Sequence, residues 1–357
     1  MSDGTEQCYV KSNMIIEALA DRFYAWFHTV APVQAAMNLA TVQVPLIESY
    51  LRNPQMHVAA TGNPELRGGF FVGVEEARKD ELGDLLTTIK RDRAAMLAFA
   101  AAVTEGAELV RQSAAGFDLP PLYPKLPAPL NGLVELAYDA GNQPSIHFLE
   151  PLVYKSAVYD EARQSVQLSL DRGTERPFIL STPRLPSPDA LDLPLPFRHP
   201  GLEELAMARI RPTTPARLRE ALELDDARAA TLARLLSPRP SLNPDRHIQA
   251  GGRIRYFGHA CLVLQTPQGA VVTDPFISTD STPGDRYTLD DLPDHIDLVL
   301  ITHGHQDHIV LETLLQLRGR IGAVVTPRSS KGSICDPSIG ACLSRIGLPV
   351  IEVDDFD

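Results

Sequence analysis

The chain of 357 residues carries a formal net charge of −12 at pH 7, and 44% of its residues are hydrophobic. The length predicts two domains, and the acidic balance argues against a nucleic-acid-binding surface. No apolar run approaches the ~18 residues that span a bilayer, and the N-terminus lacks the basic and apolar segments of a secretory signal. We therefore predict a cytoplasmic protein that binds neither nucleic acid nor membrane.

Residues 1–236 have the pattern of a mixed α+β domain. Apolar residues recur at three- and four-residue spacing over 80–112, which predicts helix, and a cluster of prolines predicts irregular chain over 119–130. Thr214 and Pro215 are typical of a helix cap and first helical position, so a helix pair is predicted after them. Short β-like runs lie at 133–138, 145–149, 165–170 and 178–180. The residues of this region by themselves indicate no chemistry.

A Pro-rich, polar stretch at 237–252 is typical of a linker between domains. Flexible linkers couple their domains weakly. We therefore expect that a change in the second domain leaves the structure of residues 1–236 largely unaffected.

Residues 253–357 alternate strands and helices, a pattern that predicts an α/β domain. Gly258 and His259 separate its first two strands, and Asp274 follows the third. The predicted strands lie at 253–257, 260–265, 270–273, 298–301 and 322–326, with a last one from Val350. Helices are predicted at 309–318 and 337–346.

The segment His303-Gly304-His305-Gln306-Asp307-His308 follows an apolar strand that ends at Thr302. Three imidazoles and a carboxylate released at a strand end form a set of metal ligands. Because side chains two residues apart point the same way from extended backbone, His303 and His305 can share one ion. Asp307 and His308 can then turn toward a second ion. We predict a two-metal site with these four ligands, and Asp307 as its candidate catalytic residue.

The four cysteines, Cys8, Cys261, Cys335 and Cys342, include no close pair of the CxxC kind. Cys261 lies in an apolar strand, and Cys335 and Cys342 lie beside or within a predicted helix. We therefore expect buried free thiols rather than disulfides or metal ligands.

The pattern His303-x-His305-x-Asp307-His308 after an apolar strand resembles the signature of the metallo-β-lactamase fold superfamily. The resemblance implies an αββα sandwich, of which residues 253–357 match the first half. It also implies that Asp274 orients a metal ligand, as metal-bound histidines commonly require. His259 is expected to approach the metals from the neighbouring loop and support the site in a similar way.

The same resemblance implies further metal ligands downstream, and no histidine follows His308 in this sequence. We therefore expect the chain to be a truncated fragment, or one that needs a complementing segment. In that case it would hold at most one ion tightly and leave one sheet face uncovered.

Three short N-terminal segments are similar to a particular subfamily, the diiron β-hydroxylases of nonribosomal peptide biosynthesis, of the chloramphenicol-pathway type. These segments are 48–51, 148–152 and 159–161. The resemblance implies two non-haem iron ions, with His303 and His305 on the first and Asp307 and His308 on the second. It implies β-hydroxylation, by O2, of an amino acid tethered to a peptidyl carrier domain of a nonribosomal peptide synthetase, in antibiotic or secondary-metabolite biosynthesis. It also implies a homodimer formed through the N-terminal domain.

Two other functions stay open from the residues alone. Imidazole and carboxylate ligands suit zinc as well as iron, so a zinc-dependent hydrolase of the same fold is the alternative enzyme. An inactive fragment that serves as a binding or dimerisation module is the non-enzymatic alternative.

Overall fold

The computed structural model describes residues 6–113, 118–139, 141–173, 175–278, 286–329 and 332–354. The N-terminal region begins with strands and a helical layer. Strands β1 to β3 are Tyr9–Val10, Met14–Ala20 and Phe23–Tyr24. Helices α1 to α6 are Phe27–Val30, Pro32–Asn38, Val44–Arg52, Pro54–Thr61, Lys79–Asp92 and Ala94–Ser113, with a π-helical turn at Leu39–Gln43 between α2 and α3.

The rest of the N-terminal region completes three antiparallel sheets, one of which pairs the first strand of the region with its last. Its strands β4 to β8 are Val134–Tyr138, Pro144–Phe148, Gln164–Leu170, Leu191–Leu193 and Leu236–Ser237. Its helices α7 to α10 are Glu150–Val153, Pro200–Met207, Pro215–Ala221 and Asp226–Ala233. The larger sheet has the order β3-β2-β6-β7, and β4 pairs with β5. Short 3-10 turns lie at Pro64–Leu66, Glu76–Arg78, Pro120–Lys125, Ala128–Leu130, Glu161–Arg163, Pro244–Arg246 and Leu289–Asp291.

The C-terminal region forms one six-stranded sheet. Its strands β9 to β14 are Arg253–Gly258, Cys261–Thr266, Gly269–Thr273, Ile296–Leu300, Ile321–Pro327 and Val350–Val353. Strands β9, β10 and β11 are antiparallel, and β11 to β14 are parallel. Helices α11 and α12 are Leu311–Leu317 and Ile339–Arg345. This arrangement confirms the predicted α/β class of the second region and the mixed α+β class of the first.

Local sequence accounts for several of the helix starts. The hydroxyl of Thr214 accepts a hydrogen bond from the Arg217 N–H, with Pro215 at the first helical position, as predicted. Asp225 caps α10 in the same way. Each cap satisfies a backbone N–H that the helix itself leaves without a partner.

Two predicted elements differ from the structure. The helix expected over 80–112 is broken at Arg93, whose guanidinium is held by Asp21 Oδ1 at 2.8 Å and Asp160 Oδ2 at 2.5 Å. The strand expected over 178–180 is wrong, because Phe178 accepts backbone hydrogen bonds within a turn instead of pairing with a strand. The partners of Arg93 are distant in sequence, whereas those of the Phe178 carbonyl lie three and four residues later within the turn.

The expectation of weakly coupled domains is also wrong. One buried hydrophobic cluster contains residues of both regions, among them Phe27, Leu205, Val299 and Leu314. Helix α11 packs against β2 and α8, which belong to the N-terminal region. Because the regions share a core, a change at their interface affects both.

The segment 237–252 runs along the second region. The N–H of Asn243 donates to the Asp290 carbonyl at 3.1 Å, and its side-chain amide donates to Asp291 Oδ1 at 2.7 Å. Gln265 Nε2 donates to the Arg246 carbonyl at 3.0 Å. These bonds tie this stretch to the second region, while the boundaries 1–236, 237–252 and 253–357 stay predictions.

One face of the six-stranded sheet is apolar and exposed in this chain. Ile254 and Tyr256 on β9 are 68% and 62% exposed, and Ile351 on β14 is 48% exposed. Leu262 and Leu264 lie opposite Tyr256 and Ile254 in the register of β9 and β10. Apolar surface of this kind favours association.

Across the described part of the chain, no helix combines the length and apolarity needed to cross a membrane. The four cysteines are all free thiols. Cys8, Cys261 and Cys342 are buried as expected, whereas Cys335 is exposed, so the prediction of buried thiols is wrong at that position.

A buried ion pair at the interface of the two regions provides a test of their coupling. The guanidinium of Arg209 is 3% exposed and donates to Asp290 Oδ1 at 2.9 Å and Gln316 Oε1 at 3.2 Å. Removing one partner of a buried pair costs about 3–5 kcal/mol. We expect Arg209→Met to lower the free energy of unfolding by that amount, in a single transition followed by circular dichroism and Trp26 fluorescence in urea.

The matched control is Arg217→Met, because Arg217 forms an exposed pair with Glu204. Surface pairs contribute about 0–1 kcal/mol, so the control is expected to unfold nearly as the unmodified protein does. A small loss for Arg209→Met, or two separate transitions in the unmodified protein, would contradict the shared core.

Candidate metal centre

The predicted metal loop lies at the carboxyl edge of the parallel part of the sheet. His303 to His308 connect β12 to α11, and Asp274 follows β11, the neighbouring strand. In open α/β sheets ligands bind at this edge, because the loops that leave adjacent parallel strands converge there. Residues distant in sequence are thereby placed side by side.

The structure brings all four predicted ligands together. His303 Nε2 lies 2.9 Å from His305 Nδ1, and the His303 and His308 ring centroids are 4.0 Å apart. On the other side of the loop, His259 Nε2 lies 3.1 Å from Asp307 Oδ2 and 3.2 Å from His308 Nε2. Each group therefore presents nitrogen or oxygen atoms toward a shared point.

These distances fit metal ions. Two ligand atoms that each lie ~2.1 Å from an ion are separated by roughly 3.0–3.4 Å in octahedral or tetrahedral geometry. The ligand atoms of His259, Asp307 and His308 all lie within 4.8 Å of one another. The donor set is imidazole and carboxylate, which suits iron and zinc.

Asp274 is the buried support of the loop. Its side chain is 1% exposed, and its two oxygens accept hydrogen bonds from the Thr302 N–H and the Thr302 hydroxyl, each at 2.8 Å. Asp274 Oδ2 also lies 2.9 Å from His308 Nδ1. Because Nδ1–H donates to this carboxylate, Nε2 of His308 keeps its lone pair for a metal. The contact has the geometry of the orienting role that the resemblance implies for Asp274, and the role itself stays a prediction.

The position of His259 depends on an unusual backbone. Gly258 and His259 have φ of 119° and 50°, and the register of β9 and β10 shifts between Cys261 and Leu262. A non-glycine residue with positive φ costs free energy and is concentrated at functional sites. The turn directs the His259 ring at Asp307 and His308, so His259 is placed to bind metal directly, not only to support a ligand.

Local electrostatics favour the metal-binding form of His303. Burial, together with the neighbouring His308 and His305 rings, lowers the pKa of His303. A lowered pKa favours the neutral imidazole, whose free lone pair is what a metal requires.

The N-terminal region supplies a wall of the site that sequence reasoning missed. A Cβ atom at position 304 would lie only 3.1 Å from Phe27 Cε1, so glycine allows the metal loop to approach this ring. The neighbouring His28 stacks on Trp26 with ring centroids 4.7 Å apart. Burial and the nearby His305 lower the pKa of His28. No local sequence signal reveals this contact, because the two segments are far apart in the chain.

Comparison with known families identifies both regions. The family described as "Diiron non-heme beta-hydroxylase N-terminal domain" matches residues 9–240. A "Beta-lactamase superfamily domain" matches residues 253–342. Both resemblances seen in the sequence are thereby confirmed.

A curated relative is similar along nearly the whole chain. It is the 4-amino-L-phenylalanyl-[CmlP-peptidyl-carrier-protein] 3-hydroxylase of Streptomyces venezuelae, which is 33% identical over 358 aligned residues. The match covers 98% of this chain and 67% of that protein. Metal-dependent hydrolases are similar only over short segments, for example 43% identity over 60 residues with one of Rubrobacter xylanophilus, which is 16% of this chain and 23% of that protein.

A solved structure gives the same result. The crystal structure of CmlA, a diiron beta-hydroxylase from Streptomyces venezuelae, superposes with a TM-score of 0.88 at 32% identity, over 99% of this chain and 67% of that one. The chain therefore belongs to the family of diiron non-haem β-hydroxylases, whose enzymes use two iron ions.

Proposed function

We propose that this protein hydroxylates the β-carbon of an amino acid tethered to a peptidyl carrier domain, in the biosynthesis of an antibiotic or related metabolite. The observation that carries the proposal is the similarity of the N-terminal region, residues 9–240, to the β-hydroxylase family. Hydrolases of the same fold share only a short segment with the chain. The named substrate of the relative supplies the substrate class.

The ligand assignment is part of this proposal. His303 and His305 would hold one iron, and Asp307 and His308 the other, with His259 close enough to join the second group. Asp274 would hold the His308 ring in orientation from behind. Asp307 is the proposed catalytic residue because its carboxylate lies 3.1 Å from His259 Nε2 and also borders a cavity.

When bound, the two irons supply the activation of O2. The overall reaction places one oxygen atom in a C–H bond and releases the other as water, with two electrons from a reductant. The protein's own residues fix the ligand geometry, exclude bulk water and place the substrate. Phe27 and the Trp26–His28 pair would exclude water on the N-terminal side of the loop.

The zinc hydrolase and the inactive binding module have less support. A hydrolase would need only the metal-binding region, whereas the similarity to the hydroxylase extends over 98% of the chain. A module without chemistry would not need converging ligand atoms such as those of His259, Asp307 and His308. O2 as co-substrate, the homodimer and the cytoplasmic location stay predictions.

Substitution of the ligands tests the metal assignment. We expect His303→Ala and Asp307→Ala each to lower iron content and to reduce hydroxylation of a carrier-tethered amino acid by about 100-fold or more, since loss of a supporting residue alone costs 10–100-fold. Iron and zinc per chain would be measured by elemental analysis, and the added oxygen by mass spectrometry. His295→Ala is the control, because His295 is exposed and lies outside this loop. Unchanged iron in both ligand variants would refute the assignment.

Asp274, the buried carboxylate beside the metal loop, gives a separate prediction. Asp274→Asn removes the charge that orients His308, so we expect metal affinity to fall by about 10–100-fold. A competitive chelator titration would measure it. Asp297→Asn is a matched control, since Asp297 accepts the Ala270 N–H at 2.7 Å, away from the metal loop. Equal affinities in the two variants would show that Asp274 has only a structural role.

The homodimer is proposed on apolar surface of the N-terminal region. Met56, Val58, Leu66 and Phe70 are exposed, Phe70 by 67%. Phe23 and Phe27, two aromatic residues near the N-terminus, are buried and do not contribute to this surface. We expect sedimentation to give a dimer, and Phe70→Glu to raise its dissociation constant by about tenfold or more, the effect of ~1.4 kcal/mol. Arg52→Glu would control for the added negative charge. A monomer of the unmodified protein at high concentration would exclude the dimer.

A further inference from the structure

Phe27 on α1 packs against the metal loop between the two proposed ligands of the first ion. Gly304 separates His303 from His305, and a Cβ atom at Gly304 would lie 3.1 Å from Phe27 Cε1 and 3.4 Å from Phe27 Cδ1. It would also lie 3.8 Å from Cδ1 of Ile339 on α12. Carbon atoms ordinarily pack at about 3.5–4.0 Å, so the ring leaves too little room for a side chain here. The backbone at the middle of the loop therefore rests on the ring.

The ring of Phe27 has little freedom to move away from the loop. Phe27 is 1% exposed, and its helix packs against α2 and α12. The hydroxyl of Thr29 accepts the Trp26 N–H at 3.0 Å, which closes the first turn of α1. Arg163 Nη1 donates to the Thr29 carbonyl at 3.3 Å. A displaced ring would have to disturb these contacts, so we expect the loop to yield before the ring does.

A buried ionic network anchors Arg163 in turn. Asp21 Oδ2 lies 2.6 Å from Arg163 Nε, and Asp21 Oδ1 lies 2.8 Å from Arg93 Nε. Asp21 and Arg22 form the turn between β2 and β3, with φ of 48° and 72°. Positive φ costs free energy at residues other than glycine, and the ion pairs of Asp21 offset that cost. The network thereby fixes the chain that leads into α1.

The loop's own hydrogen bonds hold its two ends. The buried carboxylate of Asp274 holds its start. At its end the N–H groups of His308 and Ile309 both donate to the His305 carbonyl, at 3.1 and 3.0 Å. Gly304 lies between these bonds, and glycine has more backbone freedom than any other residue. Packing against the ring on α1 therefore limits the motion of the loop at this position.

We propose that Phe27 is a positioning residue of the metal centre. Its ring fixes the loop at Gly304 and thereby sets the spacing of the His303 and His305 side chains on either side of it. Ligands that are already in place bind a metal more tightly, because less chain has to be ordered on binding. The N-terminal region thus acts on the metal centre without supplying a ligand. The inference rests on the proposed function only for the identity of the metal, iron.

An exchange of size between the two residues tests the contact in the full, metal-free chain. Gly304→Ala adds the methyl group that would meet the ring, and Phe27→Leu removes Cε1. We expect each single variant to raise the amide hydrogen-exchange rate of residues 303–309, followed by mass spectrometry, about fivefold or more. The double variant should return to within about twofold of the unmodified protein, because the added methyl group fills the space that the ring leaves.

Affinity for ferrous iron gives a second readout. It would be measured without O2, by competition with a chromophoric chelator. We expect each single variant to bind iron about five- to tenfold more weakly, and the double variant to bind nearly as tightly as the unmodified protein. A residue with only a structural role in the core would show additive losses instead.

Phe99→Leu is the matched control. Phe99 on α6 is also 1% exposed, but it belongs to a different hydrophobic cluster from Phe27. Its substitution should lower the urea midpoint of unfolding about as much as Phe27→Leu does. It should leave the exchange of residues 303–309 and the affinity for iron unchanged, and it should not rescue Gly304→Ala.

The outcomes separate this inference from the proposed function. Unchanged exchange and iron affinity in Gly304→Ala, additive losses in the double variant, or rescue of Gly304→Ala by Phe99→Leu would each overturn the positioning role, even if the protein hydroxylates a tethered amino acid. The exchange measurement needs no metal, so it decides the matter by itself. Compensation in the double variant without any hydroxylation would support the positioning role and overturn the proposed function.

Discussion

The metal loop depends on one buried carboxylate. Asp274 ends the strand beside β12 and accepts both the backbone N–H and the hydroxyl of Thr302, the last residue before the histidines. The same carboxylate faces His308 Nδ1. An ionised group that is 1% exposed is stable only with such partners. The carboxylate therefore holds the start of the loop and leaves Nε2 of His308 as the nitrogen available to the proposed metal.

The N-terminal region is part of the metal centre as well as a neighbour of it. Phe27 packs against Gly304, and Arg176 joins Glu17 to Glu312 on the helix that follows the metal loop. A shared hydrophobic cluster runs through both regions. The two regions thus form one core, and it is the N-terminal region that distinguishes the hydroxylase family from hydrolases that match only a short segment of the chain. Phe27 of this region lies against the metal loop, and Tyr24 and Arg176 line the cavity that Asp307 borders.

Sequence patterns predicted most of the second region and less of the first. The strands around Asp274 and the metal loop are short, apolar and bounded by turn residues, so period and spacing identify them. The strand predicted over 178–180 was wrong. Phe178 is apolar and buried, but its backbone carbonyl accepts hydrogen bonds within a turn instead of pairing with a strand. The break at Arg93 coincides with ion pairs to Asp21 and Asp160, which are distant in sequence and leave no local signal.

The sequence by itself determined the family and the loop that carries the four proposed ligands, since these depend on residues adjacent in the chain. Only the tertiary structure decided that His259 reaches Asp307 and His308, that Phe27 closes on Gly304, and that Arg176 joins Glu17 to Glu312 across the two regions. Each of these depends on contacts between segments far apart in sequence. Such contacts are set by backbone turns and shared packing, for which no local spacing rule exists.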